Sequence, residues 1–187
     1  MKVLLGSNSP RRSELLTQMG FAFSKVNIEC EESYKSIVPL DEVAEYLARK
    51  KSKAYYGLKE DELLVTADTT VLFDREILNK PESKEEAFMM LKKLSGRSHK
   101  VITGVCIRTQ NKTESFSSET EVVFEKISDV DVEHYIEKYN PLDKAGAYGI
   151  QEWFGMTQVK SINGCFYNVV GLPCHELYKR LKENYGI

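Results

Sequence analysis

Apolar positions along the chain form compact runs that alternate with stripes at helical spacing. Residues 3–5 and 63–67 are compact, mainly apolar runs, which predict two buried strands. The second run is followed by Asp68, so this strand is expected to end there. Elsewhere, apolar side chains recur three or four positions apart, as in helices that bury one face. Alternating strands and helices predict an α/β fold.

Local capping signals mark the ends of the predicted helices. Ser9 followed by Pro10 predicts a helix start, and Gly20 predicts the end of that helix. Ser83, with Glu86 three residues later, forms a capping box that predicts a second start. Further helices are predicted over residues 39–56, from residue 128 or 129 to residues 140–141, and after residue 173.

Strand signals favour antiparallel pairing in part of the sheet. Residues 21–28 predict a strand, while residues 101–108 and 115–126 predict two long strands that form a hairpin. Asn163-Gly164 is a strong turn signal between two apolar segments, so a second hairpin is expected within residues 156–170. The α/β fold is therefore expected to contain a mixed sheet.

Length, charge and cysteine usage restrict the class of protein. The 187 residues carry 26 basic and 28 acidic side chains, for a net charge of −2. Because this balance gives no overall positive field, binding to nucleic acid or to a membrane is not expected. No repeat or linker divides the chain, which predicts a single domain over residues 1–187. A short N-terminal apolar run and four cysteines without a CxxC pair predict a cytoplasmic protein with reduced thiols.

The loop between the first strand and the first helix has the features of an anion site. Ser7 and Ser9 precede the helix, where backbone N–H groups and the helix dipole favour negative charge. Arg11 and Arg12 follow, and their guanidinium groups suit phosphate oxygens. A plain capped helix with solvated arginines is the alternative.

Other candidate residues are acids and lysines spread along the chain. Asp68, with Thr69 beside it, follows an apolar strand, where an acid is well placed to bind a metal ion or to deprotonate water. An Asx-turn is the alternative for Asp68. Glu32, Lys51 and Lys80 are further candidates, although a solvated surface position would explain each of them taken alone.

Residues 143–151 place two glycines and two alanines around Tyr148. Small residues allow backbone to approach a ligand closely. Gln151 ends the segment, and its amide offers both a donor and an acceptor to the edge of a base. An ordinary turn is the alternative. The chain has no P-loop, dinucleotide-binding motif or zinc-site spacing, so these kinds of site are not expected.

Short segments over nearly the whole chain resemble the Maf family, whose members are nucleoside triphosphate pyrophosphatases. In chain order they are SNSPRR at 7–12, ADT at 67–69, KP at 80–81, LSGRSH at 94–99, DKAGAYGIQ at 143–151, NG at 163–164 and VGLP at 170–173. Gly6 and Thr70 depart from the family pattern, where Ala and Ile or Val are usual, and residues 151–156 are bulkier than usual. The resemblance implies a Maf and ITPase-like fold with two lobes and a central cleft.

The resemblance also implies a role for each charged candidate. Asp68 would be the catalytic proton acceptor, and Lys51 and Lys80 would contact phosphates. Glu32 and Asp68 would bind a divalent cation such as Mg²⁺, Mn²⁺ or Co²⁺. Together with the arginines of the first helix, the lysines would cradle a triphosphate while water attacks the α-phosphorus and pyrophosphate leaves.

Substrate choice is implied to depend on Arg12, Thr69 and Gln151. The DKAGAYGIQ segment is similar to that of the branch acting on dTTP and UTP. The resemblance further implies a homodimer. The family is also associated with control of septum formation, so a nucleotide-binding regulator of cell division that acts through a protein partner is the alternative function.

Overall fold

Strands and helices alternate along the chain, as the apolar pattern predicts. The computed structural model describes residues 1–187. The strands are β1 (Lys2–Leu5), β2 (Phe23–Lys25), β3 (Glu62–Phe73), β4 (Glu76–Leu78), β5 (Ser98–Arg108), β6 (Thr113–Phe124) and β7 (Val159–Asn163). The α-helices are α1 (Pro10–Gln18), α2 (Val43–Ala54), α3 (Lys84–Leu94), α4 (Asp129–Tyr139), α5 (Trp153–Gln158), α6 (Phe166–Val170) and α7 (Cys174–Tyr185). None of these helices has the length and apolar character that crossing a membrane requires.

The seven strands form a mixed sheet in the order β2-β1-β3-β5-β6-β7, with β4 paired to β3. Strand β1 runs parallel to both β2 and β3. Strand β4 is antiparallel to β3, and β7 is antiparallel to β6. The predicted α/β class with a mixed sheet is therefore confirmed.

The chain divides into two compact units, each with its own buried apolar core. The first unit comprises residues 1–69, 103–118 and 171–187, and the second comprises residues 70–102 and 119–170. Fully buried side chains of the first unit come from β1, α1, β3 and α7, and include Leu5, Leu16, Leu63 and Leu177. In the second unit, α3 and α4 pack with aromatic side chains that include Phe124, Tyr135 and Phe154. That both units belong to one domain stays a prediction.

The local capping signals are confirmed. Helix α1 begins at Pro10 with Ser9 at its N-cap, and Gly20 after it has a φ of 83°. The Ser83 hydroxyl accepts a hydrogen bond from the Glu86 N–H at the start of α3. The end of α4 is formed by Asn140, whose φ of 44° is in the left-handed region.

Two strand predictions are wrong in their extent. Strand β3 continues past Asp68 to Phe73, because Thr70, Val71 and Phe73 are also buried and β4 pairs with its last three residues. Asp68 therefore lies inside a strand and not at its end. Strand β2 is limited to Phe23–Lys25 because it is only partly buried and pairs with β1 over three residues.

The predicted hairpin at Asn163-Gly164 is also wrong. Residues before the turn form α5 and β7, and residues after it form α6, so only one strand enters the turn. Thr120 of β6 explains this course. Its hydroxyl accepts hydrogen bonds from the Cys165 N–H and from Asn168 Nδ2, which bind the chain after Gly164 to β6 as a helix.

Gly104 allows α2 to pack directly on β5 within the first unit. A Cβ atom at Gly104 would lie 2.2 Å from the backbone nitrogen of Glu45 and 2.3 Å from the carbonyl carbon of Ala44. Any larger residue would therefore displace the backbone of α2. This close approach sets the position of Lys51, which lies in the last turn of the same helix.

Candidate functional site

Three charged residues from separate segments meet in the first unit. Lys51 extends from α2, Asp68 from β3, and Glu32 from the segment between β2 and α2. The Nζ atom of Lys51 lies 2.5 Å from Oδ1 of Asp68 and 2.8 Å from Oε1 of Glu32. We call this group the Lys51 cluster. The structure thus brings together three of the residues that the sequence nominates one by one.

Because Asp68 is buried, it needs the ion pair with Lys51. The side chain of Asp68 is only 11% exposed and that of Lys51 is 13% exposed, whereas Glu32 is half exposed. A buried carboxylate without a partner is strongly unfavourable, so the ion pair with Lys51 compensates for the burial of Asp68.

Arg12 forms a second contact group beside this cluster. Its Nε donates to the Gly171 carbonyl at 2.9 Å, and its Nη1 donates to the Ala67 carbonyl at 2.9 Å and to the Ser7 hydroxyl at 3.3 Å. Its Nη2 donates to the Thr69 hydroxyl at 3.0 Å. These bonds hold the residues on both sides of Asp68 in β3. Burial lowers the pKa of Arg12 and the nearby charge of Asp68 opposes that shift.

The N-terminus of α1 has no side-chain cap. Ser9 occupies the N-cap position, but its hydroxyl accepts no bond from the helix. Ser7 instead accepts a hydrogen bond from the Ser9 N–H at 3.2 Å. The first-turn N–H groups, with Arg11 at the second helical position, therefore form the kind of end that binds anions.

Thr103 and Gly171 join this site although no prediction assigned them a role. The hydroxyls of Thr69 and Thr103 lie 2.9 Å apart, and Gly171 supplies the carbonyl that Arg12 contacts. Gly171 has a φ of 130° and lies in the VGLP segment, so the sequence did mark its position. Thr103 lies in an ordinary strand pattern, and no sequence signal pointed to it.

The remaining candidates, Lys80 and Gln151, lie in the second unit, and both side chains are exposed. A backbone hydrogen bond connects their segments, since the Gly146 N–H donates to the Asn79 carbonyl at 3.2 Å. Gly146 and Ala147 both have positive φ values, of 69° and 62°. The loop that leads to Gln151 is therefore held in a conformation that an alanine rarely adopts.

A buried aromatic group supports this loop from the core of the second unit. The Tyr148 hydroxyl and Nε2 of His99 are hydrogen-bonded at 2.7 Å, and both residues are buried. His99 also makes an edge contact with Phe124, with ring centroids 4.8 Å apart. Burial lowers the pKa of His99 to about 4 and raises the pKa of Tyr148, so both groups are neutral at pH 7.

The donors in the Lys51 cluster fit a hard divalent cation bound mainly by a substrate. The described residues contain no group of three His, Cys, Asp or Glu side chains arranged for a metal ion. Glu32 and Asp68 offer carboxylate oxygens, which Mg²⁺ prefers, and one or two such ligands plus substrate phosphates is its common coordination. These two acids are therefore the protein ligands that such a cation would use.

An α/β fold with a buried acid–lysine cluster and an uncapped, arginine-bearing helix N-terminus defines a protein suited to hydrolysing phosphate compounds. The family described as Maf-like protein matches residues 2–184 of this chain. The chain belongs to the Maf family.

Relatives from several bacteria carry the name dTTP/UTP pyrophosphatase. The relative from Bacteroides thetaiotaomicron is 45% identical over 184 residues, covering 97% of this chain and 95% of its own length. The relative from Porphyromonas gingivalis is 47% identical, covering 97% and 94%. The relative from Parabacteroides distasonis is 48% identical, covering 97% and 95%. The match therefore extends over essentially the full length of each of these proteins.

Proposed function

We propose that this chain hydrolyses dTTP and UTP to the monophosphate and pyrophosphate. The observation that carries the proposal is the Lys51 cluster, in which a carboxylate oxygen of the buried Asp68 lies 2.5 Å from Nζ of Lys51. Family membership and the shared name of the relatives supply the reaction and the substrates.

Asp68 acts as the proton acceptor in this reaction. The oxygen of a water molecule forms a bond to the α-phosphorus while the bond from that phosphorus to the bridging oxygen breaks. Pyrophosphate leaves with the electron pair of the broken bond, and the Asp68 carboxylate takes a proton from the water. The hydrogen bond from Lys51 orients that carboxylate before the reaction begins.

The α1 N-terminus and the basic side chains bind the phosphates. The hydroxyls of Ser7 and Ser9 and the first-turn N–H groups fix the phosphate oxygens, and Arg11 adds charge. Lys51 adds a further positive charge in the first unit, and a phosphate contact by Lys80 stays a prediction. Arg12 already donates to four protein acceptors, so we propose that it acts on substrate choice mainly by placing Thr69 and Asp68.

Glu32 and Asp68 would hold a divalent cation, Mg²⁺, Mn²⁺ or Co²⁺. Such a cation would supply positive charge that neutralises the phosphates. Gln151 selects the base through two hydrogen bonds to a pyrimidine edge, because an unpaired polar group would penalise a mismatched base.

A screen of pyrophosphate release over the common nucleoside triphosphates tests this function. Each cation would be tried with the unaltered protein, with Asp68→Ala, and with Asp61→Ala as the matched control. Asp61 is an exposed aspartate whose ion pair with Lys2 lies at the surface. Release from dTTP and UTP that is lost only in Asp68→Ala is the expected result.

Other outcomes of the screen assign the chain differently. Release from purine nucleotides alone would preserve the reaction and overturn the role of Gln151. Nucleotide binding without any release would overturn the enzyme and favour the nucleotide-binding regulator of cell division. We further propose a cytoplasmic homodimer. Light scattering tests the dimer, because one chain has a mass of 21.4 kDa and a dimer has twice that mass.

A further inference from the structure

A buried tyrosine connects the two ends of the loop that carries Gln151. Tyr135 of α4 is fully buried, and its hydroxyl accepts a hydrogen bond from the Gly149 N–H at 2.9 Å. The same hydroxyl donates to the Glu152 carboxylate. Gly149 and Glu152 lie on either side of Gln151, so one hydroxyl group binds the backbone before this residue and a side chain after it.

Lys144 extends the same network to the start of the loop. It is 7% exposed, and its Nζ lies 3.1 Å from Oε1 of Glu152 and 2.7 Å from Oδ1 of Asp143. Glu152 therefore bonds to Tyr135 through one carboxylate oxygen and to Lys144 through the other. A hydrogen-bonded network that includes the buried Tyr135 and Lys144 rigidifies the backbone that it contacts.

Close atomic contacts restrict the backbone around Gln151. A Cβ atom at Gly149 would lie 2.7 Å from Cδ of Glu152, and one at Gly155 would lie 1.8 Å from the Ile150 carbonyl oxygen. A larger residue at Gly155 would therefore displace the backbone, and one at Gly149 would displace the carboxylate of Glu152. Buried side chains and close backbone contacts surround a residue whose own side chain is exposed.

We propose that Tyr135, together with Glu152 and Lys144, is a positioning residue that holds Gln151 for selection of the pyrimidine base. The proposal rests on the proposed function, because it concerns the base selectivity of that reaction. None of these three side chains needs to contact the nucleotide. Burial and the neighbouring Glu152 raise the pKa of Tyr135, so its hydroxyl stays protonated and able to donate.

Tyr135→Phe tests the proposal because it removes only the hydroxyl. Tyr139→Phe is the matched control, since Tyr139 lies one turn later in α4 and stacks on Tyr135 with ring centroids 5.2 Å apart. The preference for dTTP over dGTP, measured as a ratio of kcat/KM, should fall by about tenfold to hundredfold in Tyr135→Phe. The loss should come from a higher KM for dTTP with a smaller change in kcat. A Tyr139→Phe variant should keep the ratio of the unaltered protein.

Hydrogen exchange of the peptide over residues 143–152 provides a second readout that does not require activity. Tyr135→Phe should speed exchange in this peptide and leave the β6 peptides protected, which also shows that the variant is folded. Glu152→Gln, which keeps a partner for Tyr135 but loses the charge facing Lys144, should give a smaller change. Unchanged exchange and an unchanged ratio in Tyr135→Phe would overturn the proposal, whereas absence of release in the unaltered protein would overturn the proposed function alone.

Discussion

Each unit contains a largely buried lysine between two carboxylates, yet the two groups are built differently. Lys51 joins Glu32 and Asp68, and these three residues come from three separate segments of the sequence. Lys144 joins Asp143 and Glu152, which belong to a single loop. Both lysine side chains are about equally shielded, at 13% and 8% exposed. Burial and charge pairing alone therefore do not distinguish a reactive group from a structural one.

The Lys51 cluster and the Lys144 group differ in the residues to which they connect. Lys51 binds the acid that the proposed reaction uses, and its second partner, Glu32, comes from another segment. In the Lys144 group, the second carboxylate oxygen of Glu152 accepts a hydrogen bond from the buried Tyr135 of α4. Three segments that converge on one buried acid make a site, whereas a local group bonded to the core fixes the shape of a loop.

Removing one acid from each group should separate these roles most clearly. Asp68→Asn should lower kcat for pyrophosphate release by about 10²-fold to 10⁴-fold, the usual contribution of a proton acceptor. Glu152→Gln should instead act chiefly on the preference between bases. Steady-state kinetics with dTTP and dGTP measure both effects. If Asp68→Asn kept kcat within tenfold of the unaltered protein, Asp68 would not be the proton acceptor. The two groups would then not differ in chemical role.

The geometry of the Lys51 cluster depends on how closely α2 approaches the sheet. Gly104→Ala would place a Cβ atom 2.2 Å from the Glu45 backbone nitrogen, and we expect a loss of about 3 kcal/mol in the free energy of unfolding. Gly57→Ala is the control, because the closest atom to its new Cβ would lie 3.5 Å away. Urea denaturation measures both. Equal stability of the two variants would show that α2 moves away at no cost, and that this packing does not fix Lys51.

Local signals predicted the secondary structure well because their physics is local. Ser83 and Glu86, or Asn140 at the end of α4, act on backbone groups within one turn. The hairpin at Asn163-Gly164 failed because its outcome depends on Thr120, which lies more than forty residues earlier in β6. Turn chemistry alone could not include that partner.

The sequence predicted which residues form the site but not how those residues contact one another. Family resemblance nominated Asp68, Lys51 and Glu32, and only the fold shows that one lysine bridges both acids. Arg12 was expected at phosphate, while its bond to the Gly171 carbonyl spans 159 residues of sequence. Tyr135 gave no signal, because a tyrosine at helical spacing is the pattern of an ordinary core position.

The pH dependence of the free energy of unfolding should reflect the burial of His99 in the core of the second unit. The pKa of His99 is about 4 in the fold, below its ordinary value of 6.5, because the residue is buried. Between these two pH values His99 binds more protons in the unfolded chain than in the folded chain. Its contribution to stability is therefore complete above pH 6.5 and is lost as the pH falls toward 4. The expected slope is about 1.4 kcal/mol per pH unit within this window.

Urea denaturation from pH 7 to pH 4.5 checks this slope against two variants. His99→Gln should flatten the curve, even though it lowers stability at pH 7 by removing the contact with Tyr148. His134→Gln should leave the slope unchanged, because His134 is an exposed residue of α4. An unaltered slope in His99→Gln would assign the acid sensitivity to other groups.

Two threonines of β3, one in each unit, should respond in opposite directions to the same small change. The Thr66 hydroxyl donates to the Ala48 carbonyl at 2.7 Å, whereas the buried Thr70 hydroxyl has no hydrogen-bond partner. Thr66→Val should therefore cost about 1 kcal/mol, and Thr70→Val should gain up to about 1 kcal/mol because a desolvated hydroxyl is replaced by a methyl group of similar size. Urea midpoints of the two variants measure the difference. Two losses of equal size would mean that Thr70 is hydrogen-bonded in solution, whereas opposite signs would show that only the Thr66 hydroxyl stabilises the strand.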